Sequence, residues 1–310
     1  MRHLVTGGAG FIGSHVAAAL LERGDTVVVV DDLSSGRQEN LDALRGDVHV
    51  VRGDICDPDV IAGAIRGVEA IVHHAAVASV PASVADPARC DAVNVHATVR
   101  LLVAARAAGV SRFVFAASAA AYGDDPELPK REDMRPLPMS PYAVAKVAGE
   151  HYVRVFAELY GMRTMALRYF NVFGPRQDPK SDYAAVIPKF VSTMVASGRP
   201  QVFGDGEQTR DFCYVSDVVD ANLRALAHDG ARGEVVNIAG GTAISVNDLV
   251  AALNDVLGTS LAPEHREERS GDIRHSVADV GLARDLLGFR ARVSLSEGLR
   301  RTVEHFRSRG

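Results

Sequence analysis

Cysteine is scarce in this chain of 310 residues, which holds only Cys56, Cys90 and Cys213. An odd count, at spacings that match no metal pattern, fits buried or idle thiols in a reducing compartment and gives no metal site. No apolar run reaches the ~18 residues that a membrane span requires. No signal peptide stands ahead of "RHLVTGG" near the start of the sequence. The expectation is a cytoplasmic protein with no membrane partner. Basic blocks are missing as well. With a formal net charge of -5, the chain lacks the positive footprint of a nucleic-acid binder. Internal repeats and low-complexity segments are absent.

What is present is ordinary in bulk and specific in order. Hydrophobic residues make up 47% and charged residues 24%, as in soluble globular proteins. The length suits one large domain or two smaller ones. The first half alternates short β-branched runs with helical patterns. "HLV", "TVVVVDD", "VHVVRGD", "AIVHHAA", "RFVFAAS" and "TMALRYF" read as strands buried on both faces. Between them lie a helix from Phe11 closed by Gly24, a helix in "PDVIAGAIRG", one long helix over 87–109, and a helix from Tyr142 to about Tyr160. Such alternation predicts a doubly wound α/β fold of the Rossmann type, a parallel sheet with helices on both faces. After about residue 170 the rhythm changes. "NVFGPRQDPKSDY" reads as a loop, and helices follow in "VIPKFVSTMVASG", "VNDLVAALNDVLG" and the amphipathic C-terminal stretch. The expected organisation is a dinucleotide-binding domain over 1–168, with a segment near 212–237 returning to it. Residues 169–310 then form mainly a smaller α/β substrate lobe.

The turn "VTGGAGFIGSH" lies between the first strand and the first helix, with Gly7, Gly10 and Gly13 spaced GxxGxxG. Glycines let the backbone turn tightly and approach a pyrophosphate, and a helix N-terminus offers free N–H groups to it. The next strand ends in Asp31, where an acid accepts hydrogen bonds from the adenosine ribose and repels a 2′-phosphate. NAD rather than NADP is the expected cofactor.

In "SPYAVAKVAGE", Ser140 is a good N-cap and Pro141 suits the first helical position. Tyr142 and Lys146 then share one face of the helix. A free phenol titrates near pH ~10, so a base working near neutrality needs roughly 4 kcal/mol of preference for the phenolate. Lys146 and the helix dipole are the expected sources. Ser118 closes a strand that should open on the cofactor crevice, where its hydroxyl shares a proton with Tyr142. His73 and His74 are adjacent on a strand and point to opposite faces, which makes them packing residues rather than a metal pair.

These residues resemble the extended short-chain dehydrogenase/reductase superfamily. The likeness runs through "TGGAGFIGSH", "GDICD", "VHHAA", "YAVAK", "LRYFNVFGPRQDP" and "GDGEQTRDFCYVSDV". Within it the chain is most similar to the UDP-hexose 4-epimerases. "YAAVIPKF" and "GDIRHSVAD" carry a nearer likeness to the branch acting on UDP-N-acetylhexosamines. The resemblance implies a redox-neutral 4-epimerisation through a 4-keto sugar, with Tyr142 as base, Ser118 as proton relay, and Lys146 on the nicotinamide ribose. Related dehydratases carry an Asp-Glu pair after the Ser or Thr, and decarboxylating relatives a Glu. Ala119 and Ala120 stand here instead, so neither dehydration nor decarboxylation is expected.

The same resemblance implies the binding residues. Cofactor contacts fall to Gly7, Gly10, Phe11, Ile12 and Gly13, to Asp31, Asp32, Ser35 and Gly36 near the ribose, and to Asp54 and Ile55 beside the adenine. Ala75, Ala76, Ala78, Asn94, Tyr142, Lys146 and Phe170 complete that set. Substrate contacts fall to Val80, Ser118, Ala119, Ala120, Tyr142 and Asn171. Val186 joins them; Gln201, Val202 and Phe203 lie along the uracil, with Arg210 and Arg269 on the pyrophosphate and Asp272 on the uridine ribose. Ser276 aligns with a gate position, where a small residue leaves room for a 2-acetamido group. UDP-GlcNAc and UDP-GalNAc are thus the expected substrates, with UDP-glucose or UDP-glucuronate as rivals. A non-catalytic NAD-binding sensor on this fold is the reading from another class, and the intact Ser118, Tyr142 and Lys146 argue against it. Apolar surface on the 87–109 and Tyr142 helices implies a homodimer.

Overall fold

Four consecutive valines, Val27 to Val30, show how the centre of the molecule is built. Val27 and Val29 enter one core cluster and Val28 and Val30 the other, because successive strand residues point to opposite faces. The computed structural model of the chain describes residues 1–179, 185–268 and 273–308. Its central sheet has seven strands: β1 (Arg2–Thr6), β2 (Thr26–Asp31), β3 (Val48–Arg52), β4 (Ala70–His73), β5 (Arg112–Ser118), β6 (Arg163–Tyr169) and β7 (Glu234–Ile238). They lie in the order β7-β6-β5-β4-β1-β2-β3, and every pairing is parallel. The order reverses between β1 and β4, which opens a crevice at the carboxyl ends of the strands. Thr6, Asp31, His73, Ser118 and Tyr169 end their strands there.

Helices cover both faces. One layer is formed by Phe11–Glu22 and Val215–Ala227, through Val16, Leu20, Val218 and Ala221. The other includes Pro58–Ala64, Ala97–Ala107 and Pro141–Tyr160, through Ile61, Leu101, Val153 and Phe156. Gly149 lets the last of these helices lie close on β5, since a Cβ there would stand 2.3 Å from Cζ of the buried Phe115 ring. A third core joins Val186–Val195, Val246–Leu257 and Leu295–Arg307 around Phe190, Leu249, Leu253 and Leu299. Among the described residues no helix is long and apolar enough to cross a membrane, and no cluster could hold a metal ion.

Two elements differ from the sequence reading. "VHVVRGD" is an edge strand, not a buried one, and Val50 is 46% exposed. The helix expected over 87–109 is broken: Pro87–Asp91 passes into a wider, π-type turn at Ala92–His96 before Ala97–Ala107 resumes. Inside that turn the Asn94 amide reaches across to the loop after β4, accepting from Val77 N–H at 2.8 Å and donating to Val77 O at 3.0 Å. Turns of this kind are frequent beside functional sites.

Candidate functional site

The glycine turn leaves β1 at Gly7, whose φ of +67° disfavours any side chain. A Cβ at Gly7 would lie 2.7 Å from Ala75 N, and one at Gly13 only 2.2 Å from Gly7 O. Gly10 is the N-cap of the first helix, and its side-chain-free surface leaves the first N–H groups open. Asp31 is 7% exposed and holds this turn directly: its carboxylate accepts from Ala9 N–H at 2.9 Å and from Leu33 N–H at 2.8 Å. Burial pushes the Asp31 carboxyl up against those bonds. Asn40, which the sequence did not single out, donates to Ala9 O at 2.8 Å and braces the same loop.

Asp32 accepts from the backbone and hydroxyl of Ser34. Beside Asp32 and Asp54 stands a cation missed in the sequence, Arg89, 2.9 Å from Asp54 and 3.8 Å from Asp32. Ser35 is exposed and Gly36 half-buried, and a Cβ at Gly36 would stand 2.6 Å from Asp31 Oδ1. The Ile55 side chain is buried, as is that of Phe170, which packs with Tyr122. A tight glycine cradle on a helix N-terminus, with an acid at the end of β2, fits a dinucleotide.

At the crevice, Ser118 ends β5 and its hydroxyl accepts from Ala120 N–H at 3.2 Å. Ala119 and Ala120 follow in a short 3₁₀ turn, half-exposed. The Tyr142 phenol lies near the Ser118 hydroxyl, which acts to lower its titration. Ser140 caps the helix by accepting from Ala143 N–H at 3.2 Å, as its sequence position implied. Lys146 is buried, donates to Ala116 O at 2.7 Å, and holds its ammonium 5.8 Å from the Tyr142 ring centroid. The electrostatics depart from the expectation for the phenol. Burial raises Tyr142, which the nearby Ser118 only opposes, and burial pushes Lys146 itself down to about 8. The chain alone does not make this phenol acidic.

The histidine pair divides as the strand geometry requires. His73 bridges Thr6 at 2.6 Å and Thr98 at 2.8 Å. Thr98 spends its proton on Asn94 O, so His73 donates from Nε2 and accepts at Nδ1. Burial holds it neutral, down to about 3. On the opposite face His74 stacks on Tyr169 and hydrogen-bonds its hydroxyl at 3.1 Å. Both ring systems are structural. Ala75 is tied by its N–H to Thr6 at 3.2 Å, and Ala76 and Ala78 continue the loop toward Val80, which is 42% exposed.

The third core carries a cavity of about 500 Å³. Asn171, Val186, Gln201, Val202, Phe203 and Arg210, all anticipated for the substrate, line it together. Asn171 adopts a φ of +26° and donates to Asp211 O at 2.8 Å. Lys189, Thr193 and Arg199 line it too and had no signal in the sequence. Ser276 is not among the lining residues; its N–H donates to Thr209 O at 3.2 Å, one residue from Arg210. Arg269 and Asp272 lie outside the described residues.

Residues 3–239 match the model of the NAD dependent epimerase/dehydratase family. The chain belongs to that family. NAD is its cofactor, and the enzyme is an epimerase of the UDP-sugar 4-epimerase group. The family member from Mycolicibacterium smegmatis named UDP-glucose 4-epimerase is 43% identical, over 100% of this chain and 99% of its own length. UDP-N-acetylglucosamine 4-epimerase from Methanobrevibacter ruminantium M1, solved with UDP-N-acetylmuramic acid, is 40% identical with a TM-score of 0.95, covering 100% of this chain and 99% of that one. UDP-glucuronic acid 4-epimerase from Bacillus cereus, solved with UDP-glucuronic acid and NAD, is 31% identical with a TM-score of 0.92 over 100% of both chains.

Proposed function

We propose that this epimerase interconverts the C4 epimers of a UDP-hexose and that UDP-GlcNAc and UDP-GalNAc are its preferred pair. The observation that carries the reaction is the grouping of Ser118 and the Tyr142 phenol at the sheet's carboxyl edge, with buried Lys146 one turn further on. The 500 Å³ cavity with Arg210 and Asn171 on its wall suits a nucleoside diphosphate. The hexosamine preference rests on the small Ser276, whose N–H is bonded to Thr209 next to Arg210, and on the likeness to the Methanobrevibacter ruminantium enzyme. UDP-glucose is the rival reading, favoured by the 43% identical relative.

NAD, held by the glycine turn and Asp31, supplies the acceptor and donor of the C4 hydride and a positive charge in the site. Tyr142 takes the proton of the 4-hydroxyl as the 4-keto sugar forms and returns it when the sugar is reduced on its other face. Ser118 orients that hydroxyl and shares its proton. Lys146 holds the nicotinamide ribose, and its charge favours the phenolate against the burial that raises it. Ala119 and Ala120 give the sugar wall no acid or base with which to eliminate water. The Gly7 to Gly13 turn is kept narrow by Asp31 and Asn40, which keeps its backbone close enough to meet a pyrophosphate.

We assign the dinucleotide half to 1–168 together with the segment near 212–237, and the UDP-sugar lobe mainly to 169–310. A homodimer forms through the exposed Val103, Val144, Tyr152 and Leu159 on two neighbouring helices, and sedimentation velocity tests it. We place the enzyme in the cytoplasm. To test the reaction, the purified protein is incubated separately with UDP-GlcNAc, UDP-glucose and UDP-glucuronate, and the C4 epimers are resolved. Fastest conversion of UDP-GlcNAc supports the proposal. Equal, slow turnover of UDP-glucose and UDP-GlcNAc removes the hexosamine preference, and no epimer from any of the three removes the reaction.

A further inference from the structure

The N–H of Tyr142 is not served by its own helix. Tyr142 is the second residue of Pro141–Tyr160, and the Ser140 cap is already engaged by Ala143 N–H. A second-position N–H has no partner within its own helix. Here it donates at 3.1 Å to the hydroxyl of Ser83, from the helix Val80–Ala85. Ser83 has no exposure to solvent and passes its own proton to Val80 O at 2.6 Å. One hydroxyl therefore links the backbone of the base to the loop that ends at Val80. We infer that Ser83 is a positioning residue for the epimerisation, setting Tyr142 against Ser118 from outside its helix.

The physical case is a cross-tie between two helices, partly buried and closed by the buried Ser83 hydroxyl. The Tyr142 phenol lies near Ser118 of β5, and the Lys146 ammonium of its own helix stands 5.8 Å from the ring centroid. A hydrogen bond between two hydroxyls is made or lost over a few tenths of an ångström. Ser83→Ala leaves a half-buried N–H without its partner, and the first turn then shifts to find another. The helix body is held elsewhere by Val153 and Phe156, so the loss falls on the first turn and on the residue it carries.

This inference rests on the epimerase reading of Tyr142, and its test has a readout that does not need turnover. With NAD bound, the phenol is titrated by ultraviolet difference absorbance in wild type and Ser83→Ala. Tyr142→Phe serves as the blank that isolates one of seven tyrosines. The Ser83→Ala midpoint should move up, because the nearness of Ser118 is what acts to lower it. In the epimer assay kcat should fall about 10- to 100-fold, as for a small misplacement of a reacting group, with KM changing far less. Ser83→Thr, which keeps a hydroxyl, should restore both. If Ser83→Ala does not fold, Ser83→Cys replaces it; a thiol is only a weak acceptor, and the same two shifts are expected at smaller size. Whichever variant is used, an unmoved midpoint with wild-type kcat overturns the assignment, even if the protein melts earlier. Should wild type epimerise no UDP-hexose, the functional reading fails while the titration still decides whether Ser83 sets the phenol.

Discussion

Glu150 and Arg168 form a two-pronged ion pair inside the protein, with Nε and Nη2 of the guanidinium donating to the carboxylate at 2.8 and 2.7 Å. Both are 3% exposed. Glu150 lies one turn beyond Lys146, and Arg168 also stacks over the buried Tyr122 ring, 4.6 Å from its centroid. The pair fastens the helix of the base to the strand next to Ser118. Glu150→Gln leaves the guanidinium charge buried and uncompensated, and should destabilise the fold by about 3–5 kcal/mol. Urea unfolding of the two proteins measures it, and an unchanged midpoint would refute the role. The double change Glu150→Met with Arg168→Met should recover much of the loss, because no lone charge remains.

Lys146 sets a pH dependence of known sign. Burial lowers it from an ordinary 10.5 to about 8, so between those values the unfolded chain binds a proton that the folded chain does not. Stability from this group therefore rises with pH through that window. In the Lys146→Met variant the rise should vanish, as read from urea midpoints at several pH values. Over the same range the amine loses its charge, and wild-type affinity for NAD, measured by calorimetry, should weaken. An affinity that stays level above pH 8 in wild type would contradict the assignment of this ammonium.

Tyr142→Phe removes the proton acceptor and keeps the ring. Turnover should fall by roughly 10²–10⁴-fold, the usual worth of general acid–base catalysis. NAD binding should persist, because Lys146, Asp31 and the glycine turn are untouched. Equal turnover in the variant would remove Tyr142 from the chemistry.

Asp31→Ala should weaken NAD by about 10- to 100-fold, the worth of one or two hydrogen bonds to a charged group. Two losses combine: the proposed contact to the ribose and the support of Ala9 N–H that shapes the turn. Discrimination against NADP should fall as well. Parallel calorimetric titrations with the two cofactors test both, and an unaltered preference for NAD would count against Asp31 as its source.

The parts legible in the sequence are those whose geometry is local. Gly7, Gly10 and Gly13 act within one turn, and Tyr142 and Lys146 are spaced by one turn of helix. The alternating runs gave the parallel sheet for the same reason. Asn40, Arg89 and Ser83 were not legible, because each acts across the fold, on residues 31, 35 and 59 positions away. Nothing in their neighbouring sequence marks them. The widened turn at Ala92–His96 was hidden because its apolar spacing reads like the helix around it. Exposure of Val50 was hidden because β3 is composed like an inner strand, and only the pairing order makes it an edge. The titration of Tyr142 failed as a sequence inference because one lysine a turn away was set against a burial that only the packed structure reveals.

Gly149 acts as a spacer of zero thickness. The helix bearing Tyr142, Lys146 and Glu150 rests on the Phe115 ring at that point. A single methyl there would wedge the helix away from the sheet and tip its catalytic end as a lever does. The reach of the base toward a sugar is thus calibrated by an atom that is missing, two turns from the chemistry.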